Sequence, residues 1–523
     1  MADKIIKRWW YCKTKTDTDG SQTLRTDGIL IDLIEYLQWL YDQGFRYTKI
    51  NENGILFVIE KNKILREIKV SEMAQYVIKW VQNLKPEIEC HSRNGELKAT
   101  ISQKLLLEKI VGGISFYFDT RRLESFLGPR DKFVMAKDGP SYKYIYFLNG
   151  YLHVNAQGVE FMAYKELDGY LWESEVIQRN YTMPTGTNIG MVEKFFSLVA
   201  NGKSTGIETE ATATRFSDLC NIAGYLSHSY TDYQLKAILL TDAKVSDTNE
   251  PNGRSGKSLF MLLISAILCA DANAAGNQKT VVNVPGKNFD PTDTFRYQQA
   301  SHETKLIYLN DVKRGFRTET LFNDITDGLT VNRKNKASFT IKVKMVLISN
   351  LSIDLAGDSN KARFCVFEFS DYFNAQHDPE SEFKTWFFTG WDEAEYNRTY
   401  LFLAQCCRAF FSDGCKLPQP ASINYQQRII NEHTSRDFVE YMQMDWKPEP
   451  GILYDLKFQY NEFLTNYKDW QQRKLAQSKF TIWVQKYMNN SKEWENYNKI
   501  ENYHREAGGS TFVKFIRPKQ ENT

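Results

Sequence analysis

The sequence has almost no surplus of charge of either sign: 66 lysines and arginines stand against 64 aspartates and glutamates, a formal charge of +2. That excludes a polybasic coat for nucleic acid, so a nucleic-acid role would need charge concentrated locally. Long hydrophobic runs are also missing. The longest largely apolar stretch, residues 259–270, is too short to span a bilayer, which takes about 20 residues. The first nine residues contain no apolar segment of the secretory kind, and the expectation is a cytoplasmic protein with no membrane partner. Eight cysteines form no C-x-x-C pair, which argues against zinc and predicts buried, reduced thiols. There is no internal repeat and no low-complexity linker. What remains is a chain of 523 residues, 42% hydrophobic and 25% charged, which fits a globular protein of two to four domains. Aromatic residues reach 14%, a level that suits large cores and base-stacking surfaces alike.

The pattern along the chain predicts an α/β multidomain protein. Residues 1–90 read as an N-terminal α/β region, with helical periodicity over 29–43 and 72–84 and a short strand at 55–59. Asp17 and Asp19 form a D-x-D, a pairing that can hold Mg²⁺. They lie in a polar, glycine-containing stretch with no apolar strand before it, which favours a solvated turn. Residues 91–189 read as β-rich, with a hairpin signature where 142–148 runs through Asn149-Gly150 into 151–154. Residues 190–230 read as a helical, collar-like segment. Residues 231–418 alternate strands and helices in the manner of a nucleotide-binding domain with a parallel sheet. Residues 419–523 are helix-rich and close on a strand at 510–516.

The chemistry concentrates in residues 231–418. The compact apolar run 235–241 suits a buried parallel strand. After it, Pro251-Asn252-Gly253-Arg254-Ser255-Gly256-Lys257-Ser258-Leu259 opens an apolar helix. A strand, a glycine-rich turn and a helix N-terminus are what a phosphate-binding loop requires, because backbone N–H groups must face the phosphates. Lys257 would reach the β- and γ-phosphates of ATP and the Ser258 hydroxyl would ligate Mg²⁺. Pro251 stands where the first glycine of the motif belongs, so Gly253 must supply the backbone freedom. About fifty residues on, the apolar stretch 305–309 ends in Asn310-Asp311, placing a carboxylate at a strand end where Mg²⁺ would need it. Asn310 occupies the place of a second carboxylate.

Residues 331–344 carry five basic side chains and no acid. Alternation on both sides of Asn335 predicts a hairpin presenting Arg333, Lys334 and Lys336 to a nucleic-acid backbone; a solvated cationic edge strand is the alternative. The strand 345–348 ends in Ser349-Asn350, and Asn350 could hydrogen-bond the γ-phosphate or the attacking water. Arg363 precedes another strand, where it is either a surface arginine or one that reaches a neighbouring subunit's γ-phosphate.

This order of phosphate loop, Asp-terminated strand, basic hairpin, Ser-Asn strand and arginine resembles the superfamily 3 helicases. More narrowly, it is similar to the helicase half of phage and plasmid primase–helicases, which are AAA+ ATPases. The likeness runs through residues 327–334, Phe339, 348–350 and 363–373, with 222–226 similar to the family's segment before the motor. It covers roughly residues 190–420, and more weakly 144–181. The resemblance implies a ring, usually hexameric, with ATP and Mg²⁺ at subunit interfaces, working on single-stranded and forked DNA beside a primase or other replisome proteins.

Under the resemblance, Asn252 to Leu259 form the nucleotide loop, Ser258 and Asp311 hold the metal, Asn350 is the sensor and Arg363 acts in trans. Arg333, Lys334 and Lys336 grip DNA, and a winged-helix-like domain follows the motor. Residues 1–190 show no priming centre. The implied activity is ATP-dependent DNA unwinding for replication of a phage, plasmid or other mobile element, in the host cytoplasm where phage-encoded. Two other readings stay open: an ATP-regulated initiator that melts origin DNA with little processive unwinding, and a P-loop ATPase acting on protein.

Overall fold

The computed structural model describes residues 8–51, 54–128, 133–186, 188–201, 210–243, 254–268, 280–313, 316–334, 337–350, 353, 355, 358–419, 430, 433–449, 452–490, 499–504 and 511–516. The chain is mixed α/β and divides into two compact units, Met1–Ala136 with Met162–Val176 and Lys137–Phe161 with Ile177–Thr523. Among the described residues no helix is long and apolar enough to cross a membrane.

In the first unit, strands Phe45–Asn51, Gly54–Lys61 and Ile64–Glu67 form an antiparallel meander, and Leu171–Trp172 adds in parallel to the last of them. The helix Leu33–Asp42 begins where the Asp32 carboxylate accepts from the Ile34 and Glu35 amides, and it buries Tyr36, Leu37, Trp39 and Leu40. Asp17 and Asp19 occupy the turn of an exposed hairpin, Thr14–Thr16 with Gln22–Leu24. Asp17 accepts from the Thr23 hydroxyl at 2.8 Å, and Asp19 from the Ser21 amide at 2.9 Å. Both carboxylates therefore serve their own turn, in line with the solvated reading.

Two expectations change here. Residues 103–127, read as part of a β-rich stretch, form the helices Gln103–Gly112, Ile114–Tyr117 and Thr120–Leu127. Leu106 with Ile110, and Leu123 with Leu127, are spaced four apart and reach the core of the first unit, so the period is helical. Not every cysteine is a free thiol, because Cys12 and Cys90 pair as a disulfide with Cα atoms 6.2 Å apart. Their sequence separation of 78 hid that proximity, and Cys220, Cys365, Cys406, Cys407 and Cys415 are free as expected.

The second unit is organised by five parallel strands: β1 (Ala237–Asp242), β2 (Val281–Pro285), β3 (Leu306–Asn310), β4 (Lys344–Ile348) and β5 (Phe364–Phe369), in the order β2-β3-β4-β1-β5. All six residues of β1 are buried, as befits a central strand covered on both faces. The helices α1 (Met191–Asn201), α2 (Glu210–Ser227), α3 (Lys257–Leu268), α4 (Asp358–Arg363) and α5 (Glu393–Ser412) accompany the sheet. Helices α2 and α5 approach so closely that a Cβ at Gly224 would run into the Cys406 carbonyl. The expected hairpin is present as Tyr142–Phe147 with Gly150–Asn155; Phe147 pairs with Gly150, so its two-residue loop is Leu148-Asn149, one step earlier than read.

The last segment has a core of its own that includes Phe438, Trp446, Phe463, Phe480 and Trp483. Helical residues 436–446 lead to strand Leu453–Asp455. Three helices follow, Leu456–Asn466, Lys468–Gln472 and Gln477–Asn490. The closing hairpin, Lys499–His504 with Thr511–Ile516, pairs its second strand with Leu453–Asp455.

Candidate phosphate-loop site

The parallel order sends every strand's carboxyl end to one edge of the sheet. At that edge β1 ends in Asp242 and the chain returns at Arg254 to start α3. Pro251, Asn252 and Gly253 lie outside the described residues. Arg254 and Gly256 adopt left-handed backbone, with φ of 74° and 98°. At Gly256 a Cβ would come within 2.9 Å of the Phe195 ring, so both conformation and space demand glycine there. Lys257 opens α3. Its ammonium is bound to the Asp242 carboxylate and lies 3.0 Å from the Ser255 hydroxyl, which itself donates to Asp242. Lys257 and Asp242 are 5% and 4% exposed, so this is a buried ion pair. Ser258 is exposed on the first turn, and Leu259 is half-buried against the core.

Asp311 follows β3 in left-handed backbone, φ 59°, with its side chain exposed. The bend is stitched to the next strand: the Val312 amide donates to the Ile348 carbonyl at 2.9 Å, and the Ser349 hydroxyl donates to the Val312 carbonyl at 3.1 Å. Between the strand of Asp311 and β1 lies β4. The crossover after β3 inserts β4 there, and it brings Asn350 next to β1. Leu240 is level with Ile348, and Leu347 with Leu309. By continuation of the β1–β4 ladder Asp242 and Asn350 are level, and Asp311 follows the carboxyl end of the next strand, where the backbone turns left-handed. A hydroxyl at 258 and a carboxylate at 311 are hard oxygen donors, the set that suits Mg²⁺.

The remaining expected residues sit at the opposite edge. Leu329–Val331 and Phe339–Ile341 form the hairpin, rooted two residues before β4 and so at the amino edge of the sheet. Lys334 is exposed on its loop; Asn335 and Lys336 lie outside the described residues. Arg333 is not a free tip residue. Its guanidinium donates to the Ala300 carbonyl and lies 5.6 Å from the Phe339 ring, which His302 stacks upon at 4.0 Å. Arg363 closes α4, donates to the Ser359 carbonyl at 3.2 Å and sits 4.6 Å from the Phe322 ring. It therefore lies on the edge away from Lys257.

Lys344 was counted with the basic run, yet it is 1% exposed. Its ammonium donates to the Tyr225 and His228 carbonyls at the end of α2 and lies 4.3 Å from the Tyr225 ring. Burial lowers its pKa to about 7, against the pull of Asp138. Burial, together with the Lys344 charge, lowers His228 to about 4. The His228 Nε2–H donates to the Gly139 carbonyl at 2.7 Å, and its Nδ1 faces no acceptor among the described residues, so nothing there favours a second ring proton. Burial raises the Asp138 carboxyl, but the Lys143 ammonium at 3.5 Å and the other nearby cations outweigh it and hold Asp138 well below the usual range.

Sequence reasoning missed this cluster, whose members are scattered from 138 to 344 and give no local signal. It also missed Asp242, for which a signal existed. An apolar strand ending in an acid singled out Asp311, and β1 ends the same way.

No family model and no curated protein matches the sequence. Among solved structures the chain is similar to the A form apo structure of the NrS-1 C-terminal region, at 13% identity and a TM-score of 0.38, over 92% of this chain and 99% of that one. A second apo structure of the same region matches over the same shares, at 12% identity and a TM-score of 0.34.

Proposed function

We propose that the chain is an ATP-driven DNA helicase for replication of a phage, plasmid or other mobile element, with residues 231–418 as its AAA+ motor. The observation that carries this reading is the carboxyl edge of the sheet. There a left-handed loop with Lys257 and the strand ends bearing Asp311 and Asn350 converge, while the basic hairpin is rooted at the other edge. In this reading Lys257 neutralises the β- and γ-phosphates and the loop amides at the start of α3 receive their oxygens. Ser258 and Asp311 would hold Mg²⁺, which supplies charge neutralisation between the phosphates. Asn350 orients the attacking water.

Arg363, remote from its own loop, serves a neighbouring subunit, which makes a ring, usually a hexamer, the working form. Lys334, with Arg333 and Lys336, contacts one DNA strand in the channel. The last segment's order of helix, strand, helices and hairpin, with the first strand paired to the last, supports a winged-helix-like module.

The deciding experiment measures ATP hydrolysis with and without single-stranded DNA, and unwinding of a fork. DNA should stimulate turnover, and Lys257→Ala should abolish it. Robust turnover in that variant would remove the phosphate-loop assignment. Nucleotide-dependent origin melting without processive unwinding would move the reading to an initiator.

A further inference from the structure

Asp242 has a place that the proposed mechanism does not use. It closes the phosphate loop from the strand side, and it takes both the lysine and a serine that should face phosphate. A carboxylate at the start of a helix, held by the loop's own ammonium and hydroxyl, satisfies those donors as a phosphate would. The pair is buried. Parting it strands a charge in a poorly solvated place, so the exchange is opposed until another anion arrives to take the lysine.

We propose that Asp242 is a latch on the phosphate loop: without nucleotide its carboxylate occupies Lys257 and Ser255, and the phosphates must displace it to bind. The latch rests on the phosphate-loop reading and adds its regulation. The exchange breaks the Lys257–Asp242 ion pair and forms a Lys257–phosphate pair. The Ser255 hydroxyl is left to satisfy the carboxylate. Affinity is thereby set below what the loop alone would give.

The test uses full-length protein stripped of nucleotide. Trinitrobenzenesulfonate modifies free amines, and peptide mass spectrometry reads the rate at Lys257 with the exposed Lys334 as internal reference. A fluorescent ADP analogue with Mg²⁺ reports affinity. In the unaltered protein Lys257 should react about tenfold more slowly than Lys334, because it is buried and paired. Asp242→Asn should raise the Lys257 rate several-fold, leave Lys334 unchanged and tighten ADP binding by roughly three- to tenfold.

Equal rates at Lys257 and Lys334 in the unaltered protein overturn the latch, and so does an Asn variant that binds ADP no tighter. Ser255→Ala covers the case of a poorly folded Asn variant. Removing the competing hydroxyl keeps the Lys257–Asp242 pair, so its Lys257 rate should not rise, and a rise overturns the proposal. Absence of ADP binding by every protein removes the phosphate-loop reading, and the latch's role with it, whatever the labelling rates report about the contact.

Discussion

The two edges of the five-stranded sheet treat positive charge in opposite ways. At the carboxyl edge Lys257 is neutralised by a carboxylate, Asp242, buried with it. At the amino edge three of the cations lie against carbonyls and rings. Arg333 rests on the Ala300 carbonyl and the Phe339 ring, Arg363 on the Ser359 carbonyl and the Phe322 ring, and Lys344 on two carbonyls and a tyrosine. Carbonyls and rings orient a cation without cancelling its charge. In the proposed reading the first edge exchanges its partner for phosphate, while Arg333 and Arg363 keep their charge toward a polyanion. A near-neutral chain can carry both, because the balance is local.

The largest test of this contrast is Arg363→Ala. If the amino-edge cation serves a neighbour's phosphates, turnover should fall by about 10³-fold while each subunit's affinity for ADP is unchanged. Normal turnover would mean that Arg363 only packs on Phe322. Next is Lys334→Ala with Lys336→Ala, read as single-strand affinity against salt. Two lost phosphate contacts should weaken binding roughly tenfold and flatten the log–log salt slope by about 1.4, with ATP hydrolysis in the absence of DNA preserved. Unchanged salt dependence would place the DNA contact elsewhere.

The smallest effect is thermal. His228 is held neutral in the fold with a pKa of about 4, against an ordinary value of 6.5. Between those values the unfolded chain binds the extra proton, so stability rises with pH across that window and is lost as pH falls from 6.5 toward 4. Tm should drop by a few degrees over that range, and His228→Gln should lose that part of the slope. An identical slope in the variant would show that other groups govern acid sensitivity.

Much of the sheet was legible in the sequence because its strands are compact apolar runs closed by polar residues; 235–241, 305–309 and 345–348 each correspond to a parallel strand. Local motifs were legible for the same reason: a glycine forced by φ at 256, a lysine at a helix start, an acid at a strand end. What was illegible was lateral. Nothing in the spacing of 305–311 says that β4 comes between Asp311 and the loop, and a basic residue at 344 reads like its neighbours until the end of α2 is seen to cap it. The helices at 103–127 were missed because the β-branched and aromatic residues within them, such as Ile110, Val111, Ile114 and Phe116, outweighed a four-residue spacing. Asp242 was misjudged in kind. Its strand-end position was visible, but a partner thirteen and fifteen residues ahead, across a loop, was not.

The strand β4 has a mechanical consequence. Residues 341–350 contain no glycine or proline, and β4 is flanked by β1 and β3 along its length. One end is continuous with the hairpin and the other carries Asn350. A strand braced on both sides resists bending, so β4 holds Asn350 at one end and the chain leading to the hairpin at the other in one fixed relation. Lys344, seated in the end of α2, fastens the amino end of that strand to the helix.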